Sequence, residues 1–486
     1  MTTAAAPRAV AAPSVATARG AVGSPAAVAR RAAPAAATVV LAGVLRVVLG
    51  LPQTGYDAWW SLLWGRSLAH GSLPDLSGAF APTPHPLAIG VAAVVGNATA
   101  LAWLSLLALA ACGVVVAVLG GRLFGPVAGA LAAAILLTRP LLAGSVLESG
   151  TDVPFLALVL GAGAALVHPD GARYRRALIL LTAAGLLRPE AWALAVVVAA
   201  IAPSRRRFAL ALAAPAAWLL FDLVCTGDPL HSLHGTRDLA DALGRAHSFG
   251  AALRLGPDYL TVVLGDAVAL LGGAAAIAAL WIAPRRALLP LATLGAGAAA
   301  FLALGIAGLP LLYRYTLLPS AALALLAAWA PTAFAAASRG TALRAALIAG
   351  AVAAVAALAL NAPHAASGLR DQARFAGTAL REQRDLTALV RSPAVRARLR
   401  GCAAAAPVLL AQQRPVPQVA FLLAQDRPIR VGGSAPARGV ILTPRRGSLA
   451  FTDHLAPTDA PAPDPRAVNS ARPLDTRGAW AALSTC

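Results

Sequence analysis

Lysine is absent from this chain, and charge of either sign is scarce. Charged residues make up 12% of the 486, about half the share of a soluble domain. Hydrophobic residues make up 59%, and the mean hydropathy is +0.72. One soluble core cannot bury that much apolar surface, so the excess faces lipid and a soluble globular protein is excluded. All forty basic residues are arginine, and alanine is abundant. That pattern fits a GC-rich, bacterial genome, so the alanine reflects codon bias as well as packing. The net charge of +20 does not point to nucleic acid. The arginines stand in short clusters between apolar runs, where they report orientation in a membrane. Cysteine is also sparse. The four present form no CxxC or Cys/His pattern, which excludes a zinc site or redox motif of that kind. Cys112 and Cys225 lie in or beside apolar runs and read as inert, whereas Cys402 and Cys486 fall in the polar C-terminal part.

The expected fold is an all-α polytopic membrane protein of about 11 transmembrane helices, with a small mixed α/β domain at its C-terminus. Residues 1–33, rich in Ala, Pro and Arg, read as a disordered basic tail. Residues 34–361 read as the transmembrane domain, and 362–486 as the C-terminal domain. The run 34–51 reads as an uncleaved signal anchor. Further spans are expected near 99–120, 126–143, 151–167, 177–188, 190–203, 208–225, 259–283, 287–308, 316–336 and 345–361. Between the first two lies an outer loop, 52–84. Its Tyr56, Trp59, Trp60, Leu63 and Trp64 read as a helix lying on the membrane surface. Residues 85–96 are apolar but too short to span, and read as a re-entrant or interfacial piece.

Arginine placement sets the orientation. With the N-terminus cytoplasmic, Arg122, Arg173, Arg175, Arg176, Arg205 to Arg207, Arg285, Arg286, Arg339 and Arg344 all fall in inside loops. Residues 362–486 then lie outside, on the extracytoplasmic face of the bacterial inner membrane. Strand-like runs there are Pro407–Ala411, Val419–Leu423 and Gly439–Leu442. The outside compartment is oxidising, so a Cys402–Cys486 disulfide is expected, with two free thiols as the alternative.

An isolated charge at membrane depth is costly and usually functional. The outward ends of the spans hold Asp57, His85, Glu148, Asp152, Arg188, Glu190 and Arg314, all on one side. Carboxylates that accept a proton and arginines that pair phosphate thus share one outer surface. Asp57 reads as a general base or as a helix cap. Asp152 opens a span, again as a functional acid or a cap, and its i,i+4 spacing from Glu148 leaves a divalent metal open as cofactor. Arg188 and Glu190 flank the helix-breaking Pro189, as a phosphate clamp or as a local ion pair. Arg314, between Tyr313 and Tyr315, binds a lipid phosphate or snorkels. His231 and His234 with Asp228 have metal-compatible spacing but no further ligand nearby, and read as an outer loop.

These residues stand in a recognisable order. The stretch Arg46…Gly55-Tyr56-Asp57-Ala58-Trp59-Trp60…Gly65-Arg66…Gly71-Ser72-Leu73-Pro74 resembles the first outer loop of GT-C-fold glycosyltransferases, as do Thr83-Pro84-His85-Pro86-Leu87 and Arg122-Leu123-Phe124-Gly125. Glu148-Ser149-Gly150-Thr151-Asp152-Val153-Pro154-Phe155 resembles their second outer loop. Gly185-Leu186-Leu187-Arg188-Pro189-Glu190 and Arg314-Tyr315-Thr316-Leu317-Leu318-Pro319 resemble two later motifs. The resemblance runs from about residue 36 to 361 and is nearest to the polyprenyl-phosphate-sugar-dependent mannosyl- and arabinosyltransferases. It implies a polyprenyl-phosphate sugar as donor, membrane lipid around it, and a glycan, lipid or protein hydroxyl as acceptor. Asp57 matches the family's catalytic aspartate, with Glu148 and Asp152 as further acids. His85, Arg188, Glu190 and Arg314 are the expected substrate contacts, the arginines holding the departing phosphate. Two features depart from the family: Ala58 stands where many members carry a second acid, and outer-loop lysines are missing. A lipid or glycan transporter and a non-catalytic envelope scaffold are the competing readings. The charges at outer span ends, rather than mid-membrane, favour the enzyme.

Overall fold

The computed structural model describes residues 25–403, 406–425, 427–432, 439–455 and 471–486. Residues 1–24 of the expected basic tail lie outside them, and the chain is helical from Pro25, inside the stretch expected to lack structure. Six helices are long and apolar enough to cross a membrane. They comprise Ala32–Leu49 (the apolar part of Pro25–Leu49), Ala98–Phe124, Arg205–Thr226, Pro284–Ile306, Tyr313–Ala336 and Ala342–Val390. Two bent helix pairs are each a broken span or a re-entrant loop. Pro126–Leu137 and Pro140–Leu147 meet at 59°, and Phe249–Leu264 and Asp266–Ile282 at 113°. By length and composition, six to eight spans can thus be picked out among the described residues, and the expected span 259–283 is a sharply broken element. Asp152–Leu166 and Glu190–Ile201 have 15 and 12 residues, short of the roughly 20 that a bilayer needs.

The central helix is Leu317–Trp329, in which every residue is buried. Small residues let its neighbours approach. A Cβ on Gly272 would lie 2.6 Å from the Leu323 carbonyl oxygen, and one on Gly297 would strike Pro319. Outer helices instead show apolar side chains to the surroundings, among them Val47, Leu270, Trp281 and Leu360. Arg139 stitches both broken spans together. Its Nε donates to the Ile135 carbonyl at 3.0 Å, and its guanidinium also reaches the Leu264 carbonyl and Asn361. Carbonyls released at a helix break inside a membrane protein need such donors.

The stretch 52–84 forms the helix Tyr56–Ala69, and the short apolar piece 85–96 forms the helix Pro86–Val95. Trp59, Trp60 and Trp64 are buried against protein, so this helix differs from the surface-lying one expected. Trp60 and Trp64 pack at 5.2 Å, and Trp64 Nε1 donates to the Asp75 carbonyl at 2.7 Å. Trp59 packs on Phe421, and the Arg66 guanidinium lies over the same Phe421 ring at 4.5 Å. The aromatic rings that mark an interfacial helix in sequence are here the contact with the C-terminal domain.

That domain has no clean boundary at residue 361. The helix Ala342–Val390 runs 49 residues through it, roughly 70 Å. Its first half is apolar, and its second half is arginine- and acid-rich. Beyond it, five strands form one mixed sheet: β1 (Val408–Leu410), β2 (Ile429–Val431), β3 (Val440–Pro444), β4 (Arg472–Arg477) and β5 (Trp480–Ser484). Their order is β2-β1-β3-β5-β4, with β1 parallel to both neighbours and β5 antiparallel to β3 and β4. Leu386, Leu389 and Val390 of the long helix pack with Val408, Leu410, Leu442 and Trp480 in its core. The run Val419–Leu423, expected as a strand, lies instead mostly in the helix Val416–Leu422, started by Pro415 and Pro417. Cys402 and Cys486 are disulfide-bonded with Cα atoms 5.9 Å apart, and Cys112 and Cys225 are free thiols.

Candidate active site

Two backbone ties place the site. Gln53 N–H donates to the Leu147 carbonyl and Gly55 N–H to the Glu148 carbonyl, each at 2.8 Å. Ser149, held at φ 54°, returns a bond from its hydroxyl to the Gln53 carbonyl at 2.8 Å. The first and second outer loops are thereby laid side by side. Gly55 is needed for this, because a Cβ there would lie 2.6 Å from the Glu148 carbonyl oxygen. The Tyr56–Ala69 helix starts at once, and Asp57 stands in its first turn.

Asp57 does not cap that helix. The cap position is Gly55, with no side-chain capping bond. The Asp57 carboxylate instead faces Arg314, with Oδ2 3.4 Å from the guanidinium. Arg314 projects from the turn Tyr313–Thr316, between the Pro284–Ile306 helix and the central helix. Both side chains keep about a third of their surface exposed, 32% and 34%. Asp152 is likewise no cap, since Thr151 holds the cap position without a side-chain bond. Its carboxylate accepts from Arg188 at 2.6 Å and from the Ser145 hydroxyl at 3.2 Å.

Arg188 differs from the expected phosphate clamp. Its guanidinium donates to Asp152, to Glu190 at 2.5 Å and to the Arg314 carbonyl at 3.1 Å. It also lies over the Tyr315 and Phe155 rings, at 4.7 and 5.1 Å. Only 4% of the side chain is exposed. With two carboxylates already balancing its charge, Arg188 is a buried hub that fixes Asp152, Glu190 and the Arg314 turn. Glu190 keeps one buried oxygen, Oε2, without a partner among the described residues.

Asp57, His85, Asp152, Arg188, Glu190 and Arg314 line one cavity of about 450 Å³. One wall is polar. The other is apolar, built by Leu219 from the Arg205–Thr226 helix and by Ala300, Leu304 and Ala307 at the end of Pro284–Ile306. His85 precedes the Pro86–Val95 helix and packs edge-on to Trp218 at 6.0 Å. Its Nδ1 is buried and unpartnered among the described residues. Burial pushes its pKa down to about 4, against the opposing pull of the Asp57 charge. The imidazole is therefore neutral at physiological pH, and offers one donor and one acceptor.

Glu148 is not in this cavity. It lines a second pocket with Tyr56, Trp59, Glu382, Arg414 and Trp480, and burial pushes its carboxyl up. The i,i+4 spacing fails because Glu148 ends the Pro140–Leu147 helix while Asp152 begins the next, so the pair shares no helical face. Nor do the residues fit a divalent metal. Among the described residues no three His, Cys, Asp or Glu side chains gather to hold one, and Asp57, Asp152 and Glu190 each face a guanidinium. His234 bonds Asp228 at 2.8 Å, and His231 faces a separate cavity.

Some site residues escaped the sequence reading. Trp218 Nε1 donates to the Ser232 hydroxyl, which in turn donates to the buried Asp222. This chain braces the cavity wall beside His85. Arg245 is held below the usual arginine range by burial and by the nearby Arg314 charge, although it does not line the cavity. Neither stands in a spacing that sequence would single out.

No family model matches the chain, and no curated protein matches it in sequence. Its fold, however, is shared with solved structures. ArnT from Cupriavidus metallidurans bound to undecaprenyl phosphate superposes with a TM-score of 0.53 at 15% identity, covering 95% of this chain and 98% of that one. The apo form of ArnT gives 0.52 at 16% identity with the same coverage. The apo oligosaccharyltransferase of Archaeoglobus fulgidus gives 0.51 at 14% identity, covering 82% of this chain and 64% of that one. The chain is thus a multi-pass membrane protein with the fold of the GT-C glycosyltransferases.

Proposed function

We propose that the protein is an inverting glycosyltransferase that moves a sugar from a polyprenyl phosphate to an acceptor hydroxyl. The observation that carries this reading is the meeting of Asp57 and Arg314, 257 residues apart in sequence, on the wall of a half-polar, half-apolar cavity. The apolar wall suits a polyprenyl chain. Arg314, whose side chain is about a third exposed, suits the phosphate, whose oxygens it matches bidentately. The ArnT structure that shares the fold holds undecaprenyl phosphate, which supports this class of donor.

The ion pair supports the following order of events. At 3.4 Å it is loose, so an arriving phosphate draws Arg314 away and leaves the Asp57 carboxylate free to accept a proton. The acceptor hydroxyl then attacks the anomeric carbon while Asp57 takes its proton. The bond from that carbon to the phosphate oxygen breaks, and the phosphate leaves with its new charge held by Arg314. Attack opposite the leaving group inverts the carbon. Neutral His85 and the free oxygen of Glu190 orient the sugar hydroxyls. Asp152 and Arg188 hold the frame. Mannose or arabinose is the proposed sugar, on the motif resemblance. The arginine clusters support a cytoplasmic N-terminus and an extracytoplasmic C-terminal domain in a bacterial inner membrane.

The test is sugar transfer in isolated membranes supplied with radiolabelled polyprenyl-phosphate mannose, then arabinose. Label should enter an acceptor with the intact protein and not with Asp57→Asn at equal protein level. Transfer that survives Asp57→Asn removes Asp57 as the base.

A further inference from the structure

A groove of about 560 Å³ opens on the C-terminal domain, between the polar half of the Ala342–Val390 helix and two turns of the sheet. Four arginines line it: Arg381 and Arg384 from the helix, Arg445 and Arg446 from the turn after β3. All four are exposed. Two acids line it as well, Glu382 and Asp385, and Asp385 stands at i,i+4 from Arg381. On a solvated helix such a pair attracts. Here the turns claim both acids instead. Glu382 accepts from the Leu449 and Ala450 amides at 2.8 Å, and Asp385 from the Ala479 amide at 3.1 Å. Glycine is required at 478, since a Cβ there would overlap the Asp385 carboxylate. The turns are also tied to each other. Arg445 N–H donates to the Ala479 carbonyl at 2.8 Å, and its guanidinium to the Gly478 carbonyl at 3.0 Å. Arg381 donates to the Thr378 hydroxyl at 2.8 Å. Arg384 and Arg446 meet no acceptor among the described residues. The groove is thus a fixed frame whose acids hold the frame and whose cations stay open.

We infer that this groove docks an acidic glycan, a saccharide chain that bears phosphate or carboxylate groups. Charge argues for an anion. Residues 362–486 as a whole carry seventeen arginines against eight acids, a field that gathers polyanions before contact. Guanidinium groups match the oxygens of phosphate and carboxylate alike. Other anions fit less well. Arg370 is the first formally charged residue after the apolar half of the long helix, so the hydrocarbon layer ends no later than there. Arg381 lies three turns further, roughly 16 Å, while a headgroup layer is roughly 5–8 Å thick. The lipid of the bilayer that this helix leaves is therefore out of reach. Single-stranded nucleic acid gains from aromatic faces under its bases, and a peptide from an apolar anchor. The lining has no aromatic ring and no apolar side chain larger than that of Ala479. The groove offers charge above a small, hydrophilic floor of Thr378, Gly447, Ser448 and Gly478, on which a hydrated chain with spaced anions can lie. The inference stands on the groove alone and does not depend on the transferase reading.

The test uses the full chain in nanodiscs of zwitterionic lipid and follows the anisotropy of fluorescein-labelled probes at about 50 mM salt, where screening is weak. The probes are an oligogalacturonate and a phosphorylated oligomannoside, beside the unmodified oligomannoside, a short duplex DNA and hexaglutamate. At least one acidic glycan should bind and the neutral one should not, and the pattern tells carboxylate from phosphate. Arg384→Gln with Arg446→Gln should weaken that binding at least about tenfold. Arg446→Glu alone, on an exposed turn, should do the same. Arg391→Gln with Arg396→Gln removes equal charge from exposed positions outside the groove, and should weaken binding less than about twofold. All variants should melt with the parent, since none of these side chains holds a contact among the described residues. Anionic lipid added to the disc should not displace the glycan. The proposal is overturned by equal losses inside and outside the groove, by binding of neither acidic glycan, or by equal binding of the neutral one. Tighter binding of DNA or hexaglutamate, or displacement by anionic lipid, overturns it as well.

Discussion

Replacing Arg188 by Met separates the two roles that sequence left open for it. Its side chain is 4% exposed, and its partners Asp152 and Glu190 are 12% and 6% exposed. Removing the guanidinium strands two carboxylates in a site that shields them little. Breaking a buried pair from one side costs about 3–5 kcal/mol, and here one cation serves two anions. Arg188→Met should therefore lower the melting temperature of the detergent-solubilised protein by roughly 5–10 °C, at about 2 °C per kcal/mol for a large chain. Lysine should not rescue, because one ammonium cannot follow a fork that reaches Asp152 at 2.6 Å and Glu190 at 2.5 Å. Adding Asp152→Asn and Glu190→Gln should recover a good part of the loss, since the stranded charges are gone. The measurement is a scanning fluorimetry melt of the four proteins with polyprenyl-phosphate binding in parallel. A variant that melts with the parent but no longer binds the lipid phosphate would refute the hub and restore the clamp.

Three further outcomes follow from the geometry. Gly55→Ala should cut transfer at least tenfold and also lower the melting temperature, because its Cβ pushes on the Glu148 carbonyl and moves Asp57; rates beside a melt check it. Below the ordinary histidine pKa of 6.5 the unfolded chain takes up a proton that buried His85, with its pKa near 4, refuses. Stability from this group therefore falls as pH drops from about 6.5 to about 4, by at most about 3 kcal/mol, and His85→Gln should flatten that part of a melting-temperature profile. Cys402→Ser with Cys486→Ser opens a loop of 84 residues. The C-terminal domain should lose up to about 4–5 kcal/mol, read as faster proteolysis of its sheet with the membrane helices left intact.

The motifs of the site were legible because each lies within one short stretch around a helix break. Pro189, Ser149 and Gly55 mark those breaks, and of the charged residues near them Asp57, Asp152, Arg188 and Glu190 line one cavity whereas Glu148 does not. Which charge meets which was not legible. The contacts 57–314 and 152–188 join distant elements, and no local spacing distinguishes Arg188, with two acids, from Arg314, with one. Glu148 and Asp152 misled for the opposite reason, because helical spacing was read across a break where no helix runs. The tryptophans of 59–64 carry the pattern of an interface anchor, and a single chain cannot say whether the partner of an indole is lipid or Phe421. The count of about 11 spans depends on apolar segments of 12 to 15 residues, which fall short of the usual bilayer-crossing length.

The long helix Ala342–Val390 turns length into information. Its Asn361 meets Arg139 in the membrane part, and its Gln383 meets Thr54 beyond it. Each helical residue advances about 1.5 Å and turns about 100°. One residue added or lost between those two contacts would swing Glu382, Gln383 and the whole sheet a quarter-turn or more around the axis, while every local sequence preference stayed satisfied. The C-terminal domain is thus indexed to the bundle like a key to its lock, and insertions in this rod should be far less tolerated than insertions in any loop of the protein.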